Sequence, residues 1–365
     1  METLNIYRFE NDYSEGCLEE ILNKLYETNM DQTPGYRMDD YCLLAEKKIQ
    51  SACKKDVDVH FLVGGTQVNM TVLDAVLRPH QGVISPILGH INVHEVGAIE
   101  GRGHKVLAIS ANDEKLDRES KLSAKAIEEY LYDFFESGDW HKVAPGAVYI
   151  SHPTERGGLY TKQEIIDIKK VCDKYEIPLF LDGARLSYAL ASKENELTLE
   201  DIAIHTDIFY IGGTKCGAMF GEAVCFTNDR YNKDFRCISK HNGAVLAKGR
   251  LLGLQFETLF TDNMYTKKSI KAYEYAMRLK KAFIESGFEF YADSYTNQQF
   301  PILKIKDIEY LRKEGFTFNI EKKIDENTRV VRFCTSWATK EESIVQLENT
   351  IKKMINSGEQ LKLEL

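Results

Sequence analysis

The chain has 365 residues, of which 43% are hydrophobic, and its 47 Lys and Arg against 56 Asp and Glu give a formal net charge of −9. This length and apolar content favour a large core with a smaller companion domain. Because the charge is negative and no basic run is present, nucleic acid is not expected as a partner.

The sequence shows no sign of a membrane or secreted protein. No apolar run approaches the ~20 residues that a bilayer-spanning helix needs. The segment from Met1 to Asn5 is not a basic stretch leading into an apolar one, as a secretion signal would be. The eight cysteines include no Cys-x-x-Cys pair, which is typical of reduced thiols. We therefore expect a cytoplasmic protein without membrane contact.

A polar N-terminal arm, residues 1–38, precedes a region in which short apolar runs alternate with amphipathic stretches. This alternation predicts an α/β fold with a mostly parallel, doubly wound sheet. The predicted strands are His60 to Gly64, Val83 to Ser85, Lys105 to Ile109, Ala147 to Ser151, Ile177 to Leu181, Asp207 to Ile211 and Ala223 to Phe226. A capping box at Thr161 to Glu164 predicts one of the intervening helices.

The first predicted strand leads into Gly64 and Gly65, after which Val68, Val72 and Leu73 recur on one helical face. A helix N-terminus with small residues offers free N–H groups and a positive dipole end to an anion. Three residues are therefore candidates for holding a phosphate, namely Gly65, Thr66 and Gln67. The alternative is a plain strand-to-helix turn in which Thr66 caps the helix.

His90 and His94 are four positions apart and would share a helical face if residues 91–99 were helical. Position 98 is alanine, so the metal motif His-Glu-x-x-His is absent. A zinc site with a distant third ligand is one interpretation. The preferred one places the His90 imidazole on a cofactor ring, where it can stack and handle protons, with no metal.

Two glycine-rich segments resemble nucleotide-binding motifs only in part. The segment 101–106 begins like a dinucleotide fingerprint, but a strand follows it where a helix is required. The segment 212–217 has the glycine spacing of a P-loop, yet Ala218 and Met219 stand where Lys and Ser or Thr belong. A Rossmann oxidoreductase and an NTPase are both disfavoured.

Asp182 and Lys215 each follow a predicted strand, and in an open α/β sheet the carboxyl ends of strands form the ligand-binding edge. An amine beside an acid suits pyridoxal 5′-phosphate, because the amine can form a Schiff base and the acid can keep the pyridine nitrogen protonated. Taken singly, an Asp at a strand end is often a helix cap and a Lys is usually solvated.

From about Lys240 the pattern changes to a long helix, Met264 to Ser286, followed by strands at Phe300 to Ile305 and Arg329 to Thr335. A second capping box at Thr339 to Glu342 predicts a last helix through about Ile355. We therefore predict three parts: an arm, 1–38, that joins the small domain, a large cofactor-binding domain, 39–240, and a small α+β domain, 241–365. No repeat or flexible linker separates them.

Several segments match a known family in order and spacing. They are Phe9 to Gly16, Gly65 to Asn69, His90 with Glu95, Ile150 to Glu155, Phe180 to Arg185, Gly213 to Lys215, and Val331 to Phe333. With these segments most of the chain resembles the L-threonine aldolase branch of the β-eliminating lyase family, which are fold-type-I pyridoxal-phosphate enzymes. The Asp-Gly-Ala-Arg stretch followed by Thr-Lys is the most specific match.

The resemblance implies roles for individual residues. Lys215 would form the Schiff base, with Thr214 beside it, Asp182 would pair with the ring nitrogen, and His90 would stack on the ring. Arg185 would lie near the cofactor's phenolic oxygen or the substrate carboxylate. Arg332 would clamp the substrate α-carboxylate, which a guanidinium fork matches. The substrate-binding residues implied are Asn11, His152, Arg185 and Arg332.

Two departures from the family pattern leave one role open. Asn11-Asp12-Tyr13 stands where the family commonly has Ser-Asp-Thr, and Pro153-Thr154-Glu155 stands where another branch has Asn-Thr-His. The base that accepts the β-hydroxyl proton is therefore not assigned. The candidates are Glu155, His152, His90 and a bound water.

The resemblance implies a lyase that cleaves a β-hydroxy-α-amino acid, such as L-threonine or L-allo-threonine, to glycine and an aldehyde. One alternative is β-elimination or transamination on the same scaffold, and another is a non-catalytic protein that binds an amino acid or the cofactor. The resemblance also implies a homodimer or homotetramer. In that assembly Lys240, Lys248 or Arg250 could reach the phosphate held by the partner subunit.

Overall fold

The structure is a computed structural model that describes residues 5–363, with side chains through residue 354. The helices are α1 (Glu19–Glu27), α2 (Asp40–Cys53), α3 (Gly65–Val76), α4 (His90–Val93), α5 (Glu114–Arg118), α6 (Ala124–Ser137), α7 (Lys162–Lys174), α8 (Leu186–Ala191), α9 (Leu199–His205), α10 (Asp229–Asn232), α11 (Phe235–His241), α12 (Arg250–Leu259), α13 (Met264–Glu285), α14 (Ile305–Lys313) and α15 (Glu341–Leu363). The strands are β1 (Tyr7–Arg8), β2 (Asp58–Leu62), β3 (Gln81–Pro86), β4 (Lys105–Ile109), β5 (Ala144–Ser151), β6 (Leu179–Asp182), β7 (Ile208–Gly212), β8 (Glu222–Phe226), β9 (Gln298–Gln299), β10 (Ile302–Lys304), β11 (Phe316–Thr317), β12 (Asn319–Lys323) and β13 (Thr328–Cys334).

A seven-stranded sheet with the order β2-β8-β7-β6-β5-β3-β4 forms the centre of the protein. All strands predicted from the sequence for this region are confirmed, with small shifts at their ends. The strands run parallel except β8, which is antiparallel to both of its neighbours. One edge of the sheet therefore combines the carboxyl ends of the parallel strands with the amino end of β8.

Helices cover both faces of this sheet, so its strands are buried on both sides. Val68, Val72 and Leu73 of α3 pack on one face, as their spacing predicts. On the other face, Ile165 and Ile168 of α7 belong to a separate hydrophobic cluster. The predicted capping box of α7 is confirmed, because the Thr161 side chain accepts from the Glu164 N–H and Glu164 caps the Thr161 N–H in return. This is the doubly wound arrangement expected from the alternating pattern.

A smaller sheet of the order β10-β13-β12, with β9 also paired to β13, follows in the C-terminal part. The long predicted helix is confirmed as α13. The predicted strand Phe300 to Ile305 is partly wrong, since β10 ends at Lys304 and Ile305 begins α14. The last helix reaches Leu363, beyond the predicted end near Ile355.

The N-terminal segment pairs with this C-terminal part, because β1 runs parallel to β11 with Tyr7 opposite Phe316. Phe9 lies in the same apolar cluster as Phe283 and Phe333. The division at residues 38 and 240 stays a prediction, and α11 runs across the second of these boundaries. Within residues 5–363, no helix is long and apolar enough to cross a membrane.

Candidate active site

A cavity of about 750 Å³ opens at the sheet edge where the parallel strands end. The segments after β2, β5, β6 and β7, together with the start of β8, form one wall of it. Residues of the small C-terminal sheet, Asn319 to Glu321 of β12 and Arg332 of β13, form another part of the lining. The sequence predicted this edge as the ligand site, and the structure brings most of the candidate residues to it.

Lys215 lines this cavity three positions after the end of β7. Among residues 5–363, its Nζ has no hydrogen-bond or ion-pair partner, while its backbone carbonyl accepts a 2.7 Å bond from the Tyr188 hydroxyl. Burial and the nearby Arg185 guanidinium lower the pKa of Lys215, and neighbouring carboxylates oppose this only in part. A lysine with a lowered pKa and a free amine is suited to attack a carbonyl carbon.

Asp182 ends β6 and is only 3% exposed, yet it lines the same cavity. Its Oδ2 accepts from the Tyr149 hydroxyl at 2.6 Å and from the Asn69 side-chain amide at 3.1 Å. Its Oδ1 accepts from the Ala184 N–H at 2.9 Å. Three donors hold this carboxylate in one orientation, as an acceptor for a positively charged N–H group of a ligand.

His90 lies at the start of α4 and its Nδ1 is 2.7 Å from Glu95 Oε1. The same carboxylate oxygen accepts a 2.7 Å bond from the Asn69 amide, so Asn69 links Glu95 to Asp182. With Nδ1–H donating to Glu95, a neutral His90 keeps the lone pair of Nε2 free. His94 also lines the cavity, and burial together with His90 lowers its pKa.

Residues 91–99 do not form the continuous helix that would have placed His90 and His94 on one helical face. The α4 helix is a single turn that ends at Val93. Val96, with φ 53°, and Gly97, with φ 72°, adopt left-handed backbone conformations that a helix cannot continue through. The rings of His90 and His94 are nevertheless close, with centroids 5.4 Å apart. Within the described residues, no group of three or more His, Cys, Asp or Glu is arranged to hold a metal ion.

The start of α3 also lines the cavity, with Gly64, Gly65 and Thr66. A Cβ atom on Gly65 would come within 3.1 Å of Tyr210 Oη, so glycine leaves room at this point for a ligand to approach the backbone. Gln67 does not reach the cavity lining, because its Oε1 accepts a bond from the Val63 N–H at 3.2 Å.

Arg185 lines the cavity and is held by Asp12 of the N-terminal segment. Asp12 is 0% exposed, and its Oδ2 also accepts a 3.0 Å bond from the Asn297 amide. Burial raises the pKa of Asp12, but Arg185 and Lys215 outweigh burial and the net pKa is lowered. Asp12 was not among the predicted site residues. The neighbouring Asn11 was predicted as a site residue, but it lies outside the cavity lining. Its Oδ1 accepts a hydrogen bond from the Tyr13 N–H.

Arg332 reaches the cavity from β13. Its Nη2 donates to the Glu10 carbonyl at 3.1 Å, and its Nε lies 3.3 Å from Glu321 Oε1. These two contacts restrict the orientation of the guanidinium. Arg332 therefore faces the cavity that holds Lys215 from the side of the small sheet.

Glu155 follows β5 and lines the cavity, and both of its oxygens are engaged. Oε1 accepts from the His90 N–H at 2.8 Å and from the Ser151 hydroxyl at 2.7 Å, while Oε2 accepts from the Ser120 hydroxyl at 2.8 Å. Ser151 Oγ is also 3.2 Å from Tyr149 Oη. A chain of hydroxyl groups thus connects Glu155 to Asp182.

The structure does not bring His152 to the cavity lining. Its ring is fully buried, with Nε2 3.0 Å from Asn195 Oδ1 and Nδ1 accepting from the Tyr160 N–H at 3.3 Å. Burial lowers the pKa of His152 to about 4. The imidazole is therefore a neutral part of the interior at physiological pH.

Glu222 is a site residue that the sequence did not reveal. It begins β8 and, because this strand is reversed, stands at the functional edge beside Lys215 in the lining. Its Oε2 accepts from the Gly213 N–H at 2.9 Å. Burial raises the pKa of Glu222 to about 8, so the carboxyl is largely protonated at neutral pH. A polar residue opening an apolar strand was the only signal in the sequence.

These residues fit pyridoxal phosphate. A lysine amine without a partner, a buried carboxylate held by three donors, and a glycine-lined helix start all face one cavity. The amine suits the aldehyde of the cofactor, the carboxylate suits its pyridine nitrogen, and the helix start suits its phosphate.

Comparison with known proteins identifies the family of the chain. Residues 13–306 match the β-eliminating lyase family. A low-specificity L-threonine aldolase from a Pseudomonas species is 26% identical over 356 residues, which cover 96% of this chain and 98% of the relative. A structure of threonine aldolase from Leishmania major is 41% identical and superposes with a TM-score of 0.91, covering 96% of this chain and 99% of the other.

More distant structures share the fold alone. Aspartate aminotransferase from Thermus thermophilus is 13% identical, with a TM-score of 0.69, and covers 96% of this chain and 92% of that protein. The architecture is thus that of the fold-type-I pyridoxal-phosphate enzymes. The chain belongs to the β-eliminating lyase family and is an enzyme of that fold.

Proposed function

We propose that this enzyme uses pyridoxal 5′-phosphate to cleave β-hydroxy-α-amino acids, with L-threonine or L-allo-threonine as substrate, to glycine and an aldehyde. The observation that carries the proposal is one cavity that combines the free amine of Lys215, the buried carboxylate of Asp182 and the guanidinium of Arg332. The names of the relatives support the same reaction.

When bound, the cofactor supplies an electron sink for the bonds at the amino acid's Cα. Asp182 would stabilise the protonated ring nitrogen through its oriented carboxylate. Gly65 and Thr66, at the N-terminus of α3, would receive the phosphate, and Thr214 adjoins the attachment point at Lys215. Gln67 supports this turn through its bond to the Val63 N–H.

Arg332 would bind the substrate α-carboxylate and so select which bond at Cα stands perpendicular to the cofactor ring. Its contacts to Glu10 and Glu321 reduce the freedom of the guanidinium before the substrate arrives. Arg185 would act near the cofactor, where Asp12 holds it in place.

We propose His90 Nε2 as the atom that accepts the β-hydroxyl proton. Glu95 fixes the ring through Nδ1, which leaves Nε2 able to take a proton. Glu155 is less suited, because both of its oxygens already accept hydrogen bonds, and its role is to position His90 through the His90 N–H. His152 lies outside the lining, and a bound water between His90 and substrate remains compatible with this assignment.

The test is a product analysis on the protein saturated with pyridoxal phosphate. We expect L-threonine or L-allo-threonine to give glycine and acetaldehyde in equal amounts. Exclusive formation of a keto acid would instead favour β-elimination or transamination, and binding without turnover would favour a non-catalytic protein. Borohydride reduction followed by peptide mapping should place the cofactor on Lys215.

The variant K215A tests this assignment, and K193A is its control, because Lys193 is an exposed lysine. Loss of the cofactor label and of cleavage in K215A alone would support the assignment. A label that persists in K215A would refute it.

We also propose a homodimer or homotetramer. Exposed apolar side chains cluster in the segment before and within α2, with Tyr26 86% and Met30 85% exposed, and they suit burial against another copy. Of the cations considered for the partner's phosphate, Arg250 donates instead to the Thr28 carbonyl at 2.7 Å within its own chain. Lys240 and Lys248 are both exposed and stay candidates, with Lys240 Nζ 4.5 Å from the centroid of the Tyr36 ring. Light scattering that shows an active monomer would contradict this proposal.

A further inference from the structure

Arg156 is a cavity residue for which the proposed reaction has no use. It follows Glu155 in the segment after β5, lines the same cavity as Lys215 and Arg332, and is only 8% exposed. In the described part of the chain, no carboxylate lies within 4.0 Å of its guanidinium. The other two arginines of the lining differ, since Arg185 pairs with Asp12 at 2.7 Å and Arg332 with Glu321 at 3.3 Å.

The guanidinium of Arg156 instead lies over an aromatic ring, with its Cζ 4.8 Å from the centroid of Tyr291. Arg118 approaches the same ring at 5.3 Å, and Lys322 Nζ donates to the Tyr291 hydroxyl at 2.9 Å. Burial raises the pKa of Tyr291, but Lys322 and Arg156 outweigh it and the net pKa is lowered. Three cationic side chains therefore surround Tyr291, which lies outside the cavity lining, and Arg156 is the one of them that also lines the cavity.

A buried guanidinium without an anionic partner is unfavourable, because burial removes its hydration. A cation–π contact returns only ~0.5–2 kcal/mol. An anion entering the cavity would therefore gain a charge-assisted hydrogen bond at Arg156. Because the proposed function gives the substrate α-carboxylate to Arg332, the anion at Arg156 would be a second one.

We propose that Arg156 binds a carboxylate on the substrate side chain, and that the preferred substrates are β-hydroxy-α-amino acids whose β-carbon carries a carboxylate, such as 3-hydroxyaspartate. This inference rests on the proposed function for its reaction. The Cα–Cβ bond breaks, the β-hydroxyl loses its proton, and Cα gains one. The products are glycine and the oxo acid glyoxylate, and no oxidant or reductant is needed.

The test compares 3-hydroxyaspartate with its carboxamide analogue, 3-hydroxyasparagine, on the cofactor-saturated enzyme. The two compounds have nearly the same shape and differ in charge. We expect kcat/KM to favour the acid by about 10-fold to 100-fold, as for one charge-assisted hydrogen bond. The ratio should fall to about 1 in R156Q and remain in part in R156K.

R118Q is the matched control, because Arg118 contacts the same Tyr291 ring from an exposed position outside the cavity lining. It should keep the acid-to-amide ratio of the wild type. A wild type without preference, or a folded R156Q that keeps the preference, would overturn the inference. If R156Q does not fold, the wild-type ratio and its decrease in R156K decide in the same way.

Binding of L-aspartate and L-asparagine separates this inference from the proposed function. Neither compound has a β-hydroxyl group, so neither can undergo the cleavage. Calorimetry on the cofactor-saturated enzyme should show tighter binding of aspartate in the wild type and equal binding in R156Q. An enzyme that cleaves threonine but binds both ligands equally would refute the role of Arg156 alone. One that prefers aspartate through Arg156 but cleaves nothing would refute the proposed function alone.

Discussion

Asp12 and Arg185, which are 173 residues apart in the chain, form a two-point ion pair with Nε to Oδ2 at 2.7 Å and Nη2 to Oδ1 at 3.1 Å. The pair joins the N-terminal segment to the turn that follows β6. Both side chains are nearly or fully removed from water. The cavity thus depends on a segment far from the sheet in sequence.

Replacing Asp12 with Asn should be costly, because it leaves the buried Arg185 charge without its counter-charge. We expect D12N to lower the free energy of unfolding by about 3 kcal/mol and to reduce kcat/KM for threonine. Denaturant titration and steady-state kinetics measure the two effects. E114Q, which disrupts the exposed pair of Glu114 with Arg118, should cost less than about 0.5 kcal/mol. Equal costs for the two variants would show that Asp12 is not held as described.

The bond between Glu95 and His90 predicts a selective effect on turnover. In E95Q the side chain keeps its size but loses the charge that orients the imidazole. We expect kcat to fall by about 10-fold, within the range of general acid–base effects, while KM changes little. The exposed Glu100 supplies the control E100Q. A change confined to KM would indicate that Glu95 acts on substrate binding and not through His90.

Adjacent glycines at the start of α3 provide a matched pair for the phosphate site. A Cβ on Gly65 would lie 3.1 Å from Tyr210 Oη, whereas one on Gly64 would meet nothing within 4 Å. We therefore expect G65A to weaken the binding of pyridoxal phosphate to the apoprotein by several-fold and G64A to weaken it less. The measurement is a fluorescence titration of the apoprotein with cofactor. If G64A is the weaker binder, the phosphate is held differently.

His152 predicts how stability depends on pH. Its pKa is lowered from 6.5 to about 4 in the folded protein, so the unfolded chain takes up the proton first as the pH falls. The stability from neutral His152 is complete above pH 6.5 and is lost between pH 6.5 and about 4. The loss is at most about 3 kcal/mol, since one pKa unit corresponds to about 1.4 kcal/mol.

Denaturation of the wild type and H152Q at pH 4 to 7 tests this dependence. H152Q should remove that part of the slope, although its overall stability is expected to be lower because a buried hydrogen-bonded ring is lost. H141Q, at an exposed histidine, should keep the wild-type slope. An unchanged slope in H152Q would mean that other groups cause the acid sensitivity.

The central sheet could be predicted because each strand is an apolar run with clear ends, and Asp182 and Lys215 could be placed at its functional edge from that pattern alone. Other features depend on tertiary contacts. Tyr149 reads as one more buried residue of β5, but its hydroxyl holds Asp182. His152 lies in a matching segment, yet its ring turns into the interior. Alternation along a strand tells which side chains are buried, not which of them face a cavity.

The long-range pairs were beyond the sequence for a related reason. Nothing near Asp12 in the chain indicates Arg185 as its partner. In the same way, the sequence around Arg156 does not reveal that this arginine has no carboxylate partner. Whether residues 91–99 are helical was likewise open in the sequence, because the pattern does not reveal that Val96 takes a positive φ.

The reversed direction of β8 has a consequence for how such a site can diversify. A parallel strand delivers a side chain to the reactive edge only from its last residue, where a loop of variable length begins. An antiparallel strand delivers its first residue, Glu222, which is fixed in register against Leu62 and Gly212 on either side. A single substitution at that position can therefore exchange the acid for a neutral group next to the lysine, while every loop keeps its length.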